Sequence, residues 1–180
     1  MSSKLLIVSG PSGTGLGQLV AAVFAHRKDL CAVTPVTARK MKPGETDGTG
    51  FYFYDLDGWN ALKESGDLLE ATEFAGNDYG TSRRLVTEAL SGGHSVLLNL
   101  EVARAAQVKA NMPEAVCVFV EPSPAVLEAR IKETSRSAIE AAVRLQTAER
   151  ERALSAFCDE RICSDDPQAA LEGLCAILDR

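Results

Sequence analysis

Long hydrophobic runs are missing from this 180-residue chain. None approaches the ~20 consecutive apolar residues that cross a bilayer, which excludes a helical membrane span. Excess positive charge is missing too: 19 Lys and Arg against 25 Asp and Glu leave a formal charge of −6. With no basic stripe, a nucleic-acid backbone is excluded as a main partner. Cysteine is sparse and unpatterned, since Cys31, Cys117, Cys158, Cys163 and Cys175 are odd in number and form no C-x-x-C pair. Cys158 and Cys163 have no histidine near them, so no metal site is expected. Scattered thiols of this kind fit a reducing cytoplasm. Histidine is confined to His26 and His94, neither within a motif. The opening Met1-Ser2-Ser3-Lys4 runs straight into apolar sequence, so no secretory leader is expected. No repeat and no long linker divides the chain. Its length suits one domain that buries roughly 70% of the surface its unfolded chain exposes.

What the chain does have is an alternation of strand-like and helix-like segments. The run Leu5-Leu6-Ile7-Val8 reads as a buried strand, and Leu19, Val20 and Val23 stand at helical spacing over 17–24. Residues 35–81 break the rhythm: they are rich in Gly, Thr, Lys and aromatics and read as a small inserted subdomain of short strands, with a helix over 58–65. The rhythm then resumes with a helix over 82–91, a strand over 95–98, a helix over 101–110 and a strand over 115–120. Pro124 suits the first turn of the next helix. A long alanine-rich helix over 138–157 and an amphipathic one over 169–178 close the chain. Such alternation implies an α/β fold with a parallel sheet covered on both faces.

Between the first strand and helix lies "GPSGTGLG": Gly10, Pro11, Ser12, Gly13, Thr14, Gly15, Leu16 and Gly17. Glycines at this spacing let successive N–H groups converge on an anion, and the following helix adds its positive N-terminal end. A complete loop of this kind also carries a lysine for the β- and γ-phosphates and a Ser or Thr hydroxyl for Mg2+. Leu16 and Gly17 supply neither. The amide nest is retained without its cation or its metal ligand.

More specific sequence follows. "TARKMKPGETDGTGFYF" is similar to T-T-R-x-P-R-x-G-E-x-x-G-x-D-Y-x-F, with which guanylate kinases grip GMP. "LLEATEFAGNDYGTS" resembles that family's F-L-E … G-N-x-Y-G-T-S, and "VLLNLEVARAAQVK" its V-L-L-D-I-D-x-Q-G-A-x-x-V-K. "VFVEPSPAVLEARI" is similar to I-F-I-x-P-P-S-x-x-x-L-x-x-R-L. With the glycine loop, these blocks come in family order over nearly the whole chain. The resemblance implies the P-loop nucleoside-monophosphate-kinase fold, a parallel sheet flanked by helices with a small GMP-binding subdomain and a lid. The core would comprise 1–34 and 82–180, the GMP-binding subdomain about 35–81, and the lid about 130–145.

On the GMP side, the resemblance assigns Arg39 to the phosphate, a role a guanidinium fork suits. It assigns Glu70 to the N–H edge of guanine, Tyr79 to the phosphate and Thr81 to the base, with Gly80 between them. Glu45 and Gly48 keep the loop. Lys42 stands for a second arginine, Phe51 for a phosphate-binding tyrosine and Pro35 for a serine, while Asn99 and Glu101 replace two aspartates. On the ATP side, Arg130 and Arg144 match catalytic lid arginines, and Arg136 is a displaced candidate across a one-residue gap. Thr134 and Ser135 stand where the lid carries Arg-Gly, and Ser164 replaces an asparagine associated with adenine.

The expected function is therefore that of a guanylate kinase-like protein of the GMP + ATP phosphoryl-transfer family. It is expected to be impaired or inactive as an enzyme while retaining a pocket for GMP or a related phosphorylated small molecule. ATP is a doubtful ligand, and Mg2+ is expected only with ATP in an active enzyme. Two alternatives stand beside it. One is a working kinase (ATP + GMP giving ADP + GDP) in which Arg130, Arg136, Arg144 or Lys4 supplies the missing charge. The other is a phosphopeptide-binding module.

Overall fold

The structure is a computed structural model that describes residues 3–180. Its core is a sheet in which every paired strand runs parallel, in the order β2-β7-β1-β8-β9. Strand β1 (Leu5–Ser9) lies at the centre and is buried along its whole length. Its side chains alternate between two faces, as strand geometry requires. Leu6 and Val8 join Leu19, Val20 and Val23 of helix α1 (Leu16–His26) with Leu174 and Ile177 of helix α7 (Pro167–Asp179). Leu5 and Ile7 join the opposite cluster with Val86 of α3 (Arg83–Ser91) and with Ala105 and Val108 of α4 (Val102–Asn111). The flanking core strands are β7 (Ser95–Asn99) and β8 (Val116–Glu121). The consecutive apolar residues in β1, β7 and β8 thus reflect burial on both faces.

Two edge strands went unread in the sequence. Strand β2 (Leu30–Cys31) has two residues, too few to show a period. Strand β9 (Glu160–Cys163) is half-buried and carries Glu and Arg, so it shows no apolar run. The helix expected over 138–157 ends earlier: α6 spans Ala138–Leu154, and a 3-10 turn covers Ser155–Phe157. Helix α1 begins at Leu16 rather than at position 17 and runs on to His26. Pro124 does open α5 (Pro124–Thr134). Leu127 and Ile131 of α5 pack on Ala141 and Ala148 of α6, forming a separate small cluster.

The inserted segment forms a second sheet, β4-β3-β6-β5. Its strands are β3 (Val36–Thr37), β4 (Tyr52–Phe53), β5 (Leu68–Phe74) and β6 (Asn77–Ser82), with α2 (Leu56–Glu64) between β4 and β5. Asp55 caps α2 by accepting from the Gly58 N–H at 2.8 Å, and the helix starts two residues before the expected position 58. Strand β5 is the edge of this sheet, and helix α4 covers it. Gln107 brackets the Ala71 N–H and carbonyl at 3.1 and 3.3 Å, and Asn111 Nδ2 donates to the Leu69 carbonyl at 2.9 Å. The otherwise unpaired backbone is satisfied by side chains of the core. Among the described residues no helix is long and apolar enough to cross a membrane.

Gly10, where the chain leaves β1, lies so close to β8 that an added Cβ would overlap the Val120 carbonyl oxygen. Around Gly17 an added Cβ would meet nothing within 4 Å. Gly10→Ala is therefore expected to lower the unfolding free energy by roughly 1–3 kcal/mol through overpacking. Gly17→Ala, in an open helical position, should raise it by about 0.5 kcal/mol. Urea midpoints of the two variants, read at unchanged slope, check both signs.

Candidate active site

The glycine loop joins β1 to α1 at the C-terminal end of the parallel sheet, where open α/β sheets bind ligands. Gly13 and Gly15 sit at φ 94° and 79°, a region that L side chains rarely adopt. Gly15 caps α1, whose Gln18 and Leu19 N–H groups donate to its carbonyl at 3.1 and 3.2 Å. Thr14 is buried, and its hydroxyl donates to the Pro11 carbonyl at 2.7 Å. Leu16 packs against the apolar cluster shared by α1 and α7. The loop thus presents backbone amides and a helix N-terminus with no cationic side chain of its own.

Two lid arginines reach this loop. Arg130 donates to the Thr14 carbonyl at 3.1 Å and to the Ser164 carbonyl at 3.3 Å. Arg144 donates to Ser12 Oγ at 3.2 Å, Thr134 Oγ1 at 2.9 Å and Ser135 Oγ at 3.2 Å. The residues that replace the family's Arg-Gly therefore hold the remaining arginine. Arg136 is not brought to the loop: it lies in a cleft between α5 and α6 with Lys132, Ala141 and Leu145. A cavity of about 350 Å³ opens beside the loop, lined by Gly13, Gly15, Gln18, Arg130, Ser164 and Pro167. Nearby, burial pushes the Glu151 carboxyl above its usual range, against an opposing hydrogen bond from the Ser12 backbone.

The second half of the site is in the subdomain. A cavity of about 440 Å³ is lined by Pro35, Phe51, Thr72, Tyr79, Glu101 and Arg104 among others. Phe51 packs against Tyr79 with ring centroids 5.6 Å apart. The Arg39 guanidinium lies 5.2 Å from the Phe51 ring centroid and 5.0 Å from that of Phe53. Its Nη atoms donate to both Glu45 oxygens at 2.6 Å. Lys42 is exposed; its backbone N–H also donates to Glu45, at 2.7 Å. Asn99 and Glu101 are exposed at the end of β7 and the start of α4. Of these two, Glu101 lines the cavity. Gly80 permits close packing, since a Cβ there would stand 2.7 Å from the Glu70 carbonyl and 3.3 Å from the Trp59 ring.

Glu70 lies at the base of this half, with its side chain wholly buried. Thr81 Oγ1 donates to Oε1 at 2.6 Å. Arg104 Nε donates to Oε2 at 2.6 Å, and Arg104 Nη2 donates to Oε1 at 2.8 Å. Hydrogen bonding to Glu70 raises the Arg104 guanidinium above its usual range, against the effect of burial.

Comparison with known proteins decides the family. The guanylate kinase family model matches residues 2–180. The chain belongs to the guanylate kinase family. The guanylate kinase of Trichormus variabilis is 38% identical over 175 residues, covering 96% of this chain and 88% of that protein. That of a Synechococcus species is 39% identical over 171 residues, covering 93% and 90%. A crystal structure of guanylate kinase from Anaplasma phagocytophilum superposes with a TM-score of 0.66 at 23% identity, covering 99% of this chain and 85% of that one, and supports the fold.

Set against the guanylate kinase pattern, Arg104 is the site residue that sequence reasoning missed. It occupies the glycine position of the family's Q-G-A stretch, within a block already matched residue for residue. A glycine exchanged for the longest basic side chain was the available signal. What it would touch was not, because Glu70 is far away along the chain.

The Arg39–Glu45 pair has a pH consequence. The Arg39 guanidinium, with the Lys42 N–H second, lowers the Glu45 carboxyl from 4.5 to about 2. A carboxyl depressed by folding adds stability that is complete above its unfolded value and is lost as pH falls through the folded one. The pair is therefore expected to persist at pH 4 and to open near pH 2. NMR titration of Glu45 should show that midpoint, and Arg39→Gln should move it back toward 4.5.

Proposed function

We propose that this chain keeps the acceptor-side pocket of a guanylate kinase, for GMP or a related phosphorylated small molecule, and has lost most of its capacity to transfer a phosphoryl group from ATP. The observation that carries this reading is the loop itself. Its own residues offer an anion N–H groups and a helix N-terminus, with Leu16 half-buried against the apolar cluster and no side chain at Gly17. Phosphoryl transfer depends almost wholly on positioning and on neutralising the transferring group. If the loop cation, the hydroxyl and one lid arginine were each worth about 2–3 kcal/mol, their joint loss would slow transfer by roughly 10⁴ to 10⁶, allowing for non-additivity.

The donor set at the loop does not fit Mg2+. Position 17 has no hydroxyl, and the Thr14 hydroxyl is buried, with its proton on the Pro11 carbonyl. Among the described residues no group of three or more His, Cys, Asp and Glu side chains could hold a metal. The acceptor half asks less: Arg39 and Tyr79 for a phosphate, with the walls of the 440 Å³ cavity for the rest of the ligand. The same reading places the protein in the cytoplasm, without a nucleic-acid or membrane partner.

A second reading, a working guanylate kinase, draws on the two arginines at the loop. Arg130 and Arg144 already hydrogen-bond to Thr14 and Ser12 and carry the right charge. The relatives' names favour it as well. Calorimetry and an ADP-release assay separate the two. The wild type is expected to bind ATP with Mg2+ more weakly than ~1 mM, about −4 kcal/mol. Leu16→Lys combined with Gly17→Ser should tighten that binding at least ~10-fold. ADP release above ~1 s⁻¹ with GMP, the low end for ordinary kinases, would establish the working guanylate kinase, and the same rate with AMP, UMP or CMP a working kinase for another acceptor.

A further inference from the structure

Guanine and arginine present the same chemical fork. Guanine's N1–H and exocyclic N2–H belong to a cyclic guanidine, and both point in one direction. In Arg104 the Nε–H and one Nη2–H are arranged alike and meet both oxygens of Glu70, at 2.6 and 2.8 Å. With Thr81 Oγ1 on Oε1 as well, the carboxylate has three donors and no exposure to solvent. The arginine fork is charged and guanine's is neutral, and charge-assisted hydrogen bonds are about twice as strong. To reach Glu70, guanine would have to displace a guanidinium and leave that charge without its partner. An ion largely withdrawn from water and stripped of its partner is disfavoured.

We infer that Arg104 is the specificity-determining residue of this pocket, covering the Glu70 edge that would meet guanine's donors and replacing that acceptor edge with a donor. The inference rests on the acceptor pocket proposed above and names its substrate class. The Arg104 side chain is 24% exposed and lines the cavity with Phe51, Tyr79 and the carboxylate residues Glu73 and Glu101. Arg104 Nη1 has no protein acceptor among the described residues. A group with free N–H donors selects carbonyl or carboxylate oxygens. The fitting ligand is a 5′-phosphorylated compound whose far end carries such oxygens, as the O2 and O4 of a uracil ring do. A cavity of this size accommodates a mononucleotide.

The test compares binding of GMP and UMP, by calorimetry at fixed ionic strength, to the wild type, Arg104→Gly and Arg104→Lys. The wild type should bind UMP at least as tightly as GMP. Arg104→Gly frees Glu70 and should shift the ratio toward GMP by ~10-fold or more, the difference between a satisfied and an unsatisfied polar edge. Arg104→Lys keeps a cation on Glu70, so the fold is held, but it lacks the fork and should give a smaller shift in the same direction. Tighter binding of GMP than of UMP by the wild type overturns the inference, and so does an unchanged ratio in a folded variant. The wild-type ratio decides even if neither variant folds. Failure of the wild type and both variants to bind either nucleotide would remove the pocket itself, a result distinct from a pocket that prefers guanine.

Discussion

Withdrawing the Glu70 carboxylate from water forfeits hydration worth several kcal/mol, which the fold must replace from its own groups. Arg104 and Thr81 do so, one from helix α4 of the core and the other from strand β6 of the subdomain. This requirement sets the register between the two parts. With Arg104 on Glu70, the same face of α4 carries Gln107 and Asn111 onto the open edge of β5. Positions three and seven residues on lie along one side of a helix, so one rotation of α4 satisfies all three contacts. A buried ion pair contributes little net stability, yet losing either member is severe. Its effect here is to hold α4 against the subdomain sheet beside the 440 Å³ cavity.

The two halves of the site depart from the family in different physical ways. At the donor loop, groups have been removed. Leu16 and Gly17 leave an anion nest of amides, and the remaining guanidinium groups of Arg130 and Arg144 rest on carbonyl and hydroxyl oxygens. Beside the subdomain, on α4 of the core, a group is added relative to the family pattern. Arg104 supplies a charge and a donor fork where the family has no side chain. The overall fold remains that of a guanylate kinase.

Arginine geometry runs through the whole arrangement. Arg39 is fixed by Glu45 and by two aromatic faces, and Arg144 is held by Ser12, Thr134 and Ser135. A guanidinium has five donors in one plane, so it can be oriented by protein oxygens and still present N–H groups outward. Lys42, a point charge on a flexible stem, is tied to Glu45 through its backbone N–H and carbonyl. Replacing an arginine by Lys42 therefore costs orientation more than charge.

Much of this was legible along the chain. The strand–loop–helix opening, both faces of β1 and the inserted subdomain follow from local apolar periodicity and glycine spacing, which neighbouring residues determine. The gap in the donor loop was equally plain, because a side chain missing from the sequence is missing from every fold. Strands β2 and β9 were not legible, since a two-residue strand and a half-buried charged edge have no period. Nor could the linear sequence separate Arg144, which reaches Ser12, from Arg136, which faces another cleft. That difference depends on where α5 ends and how α6 is rotated. Above all, only tertiary structure joined Glu70 to Arg104, because pairing across elements depends on packing that no local pattern encodes.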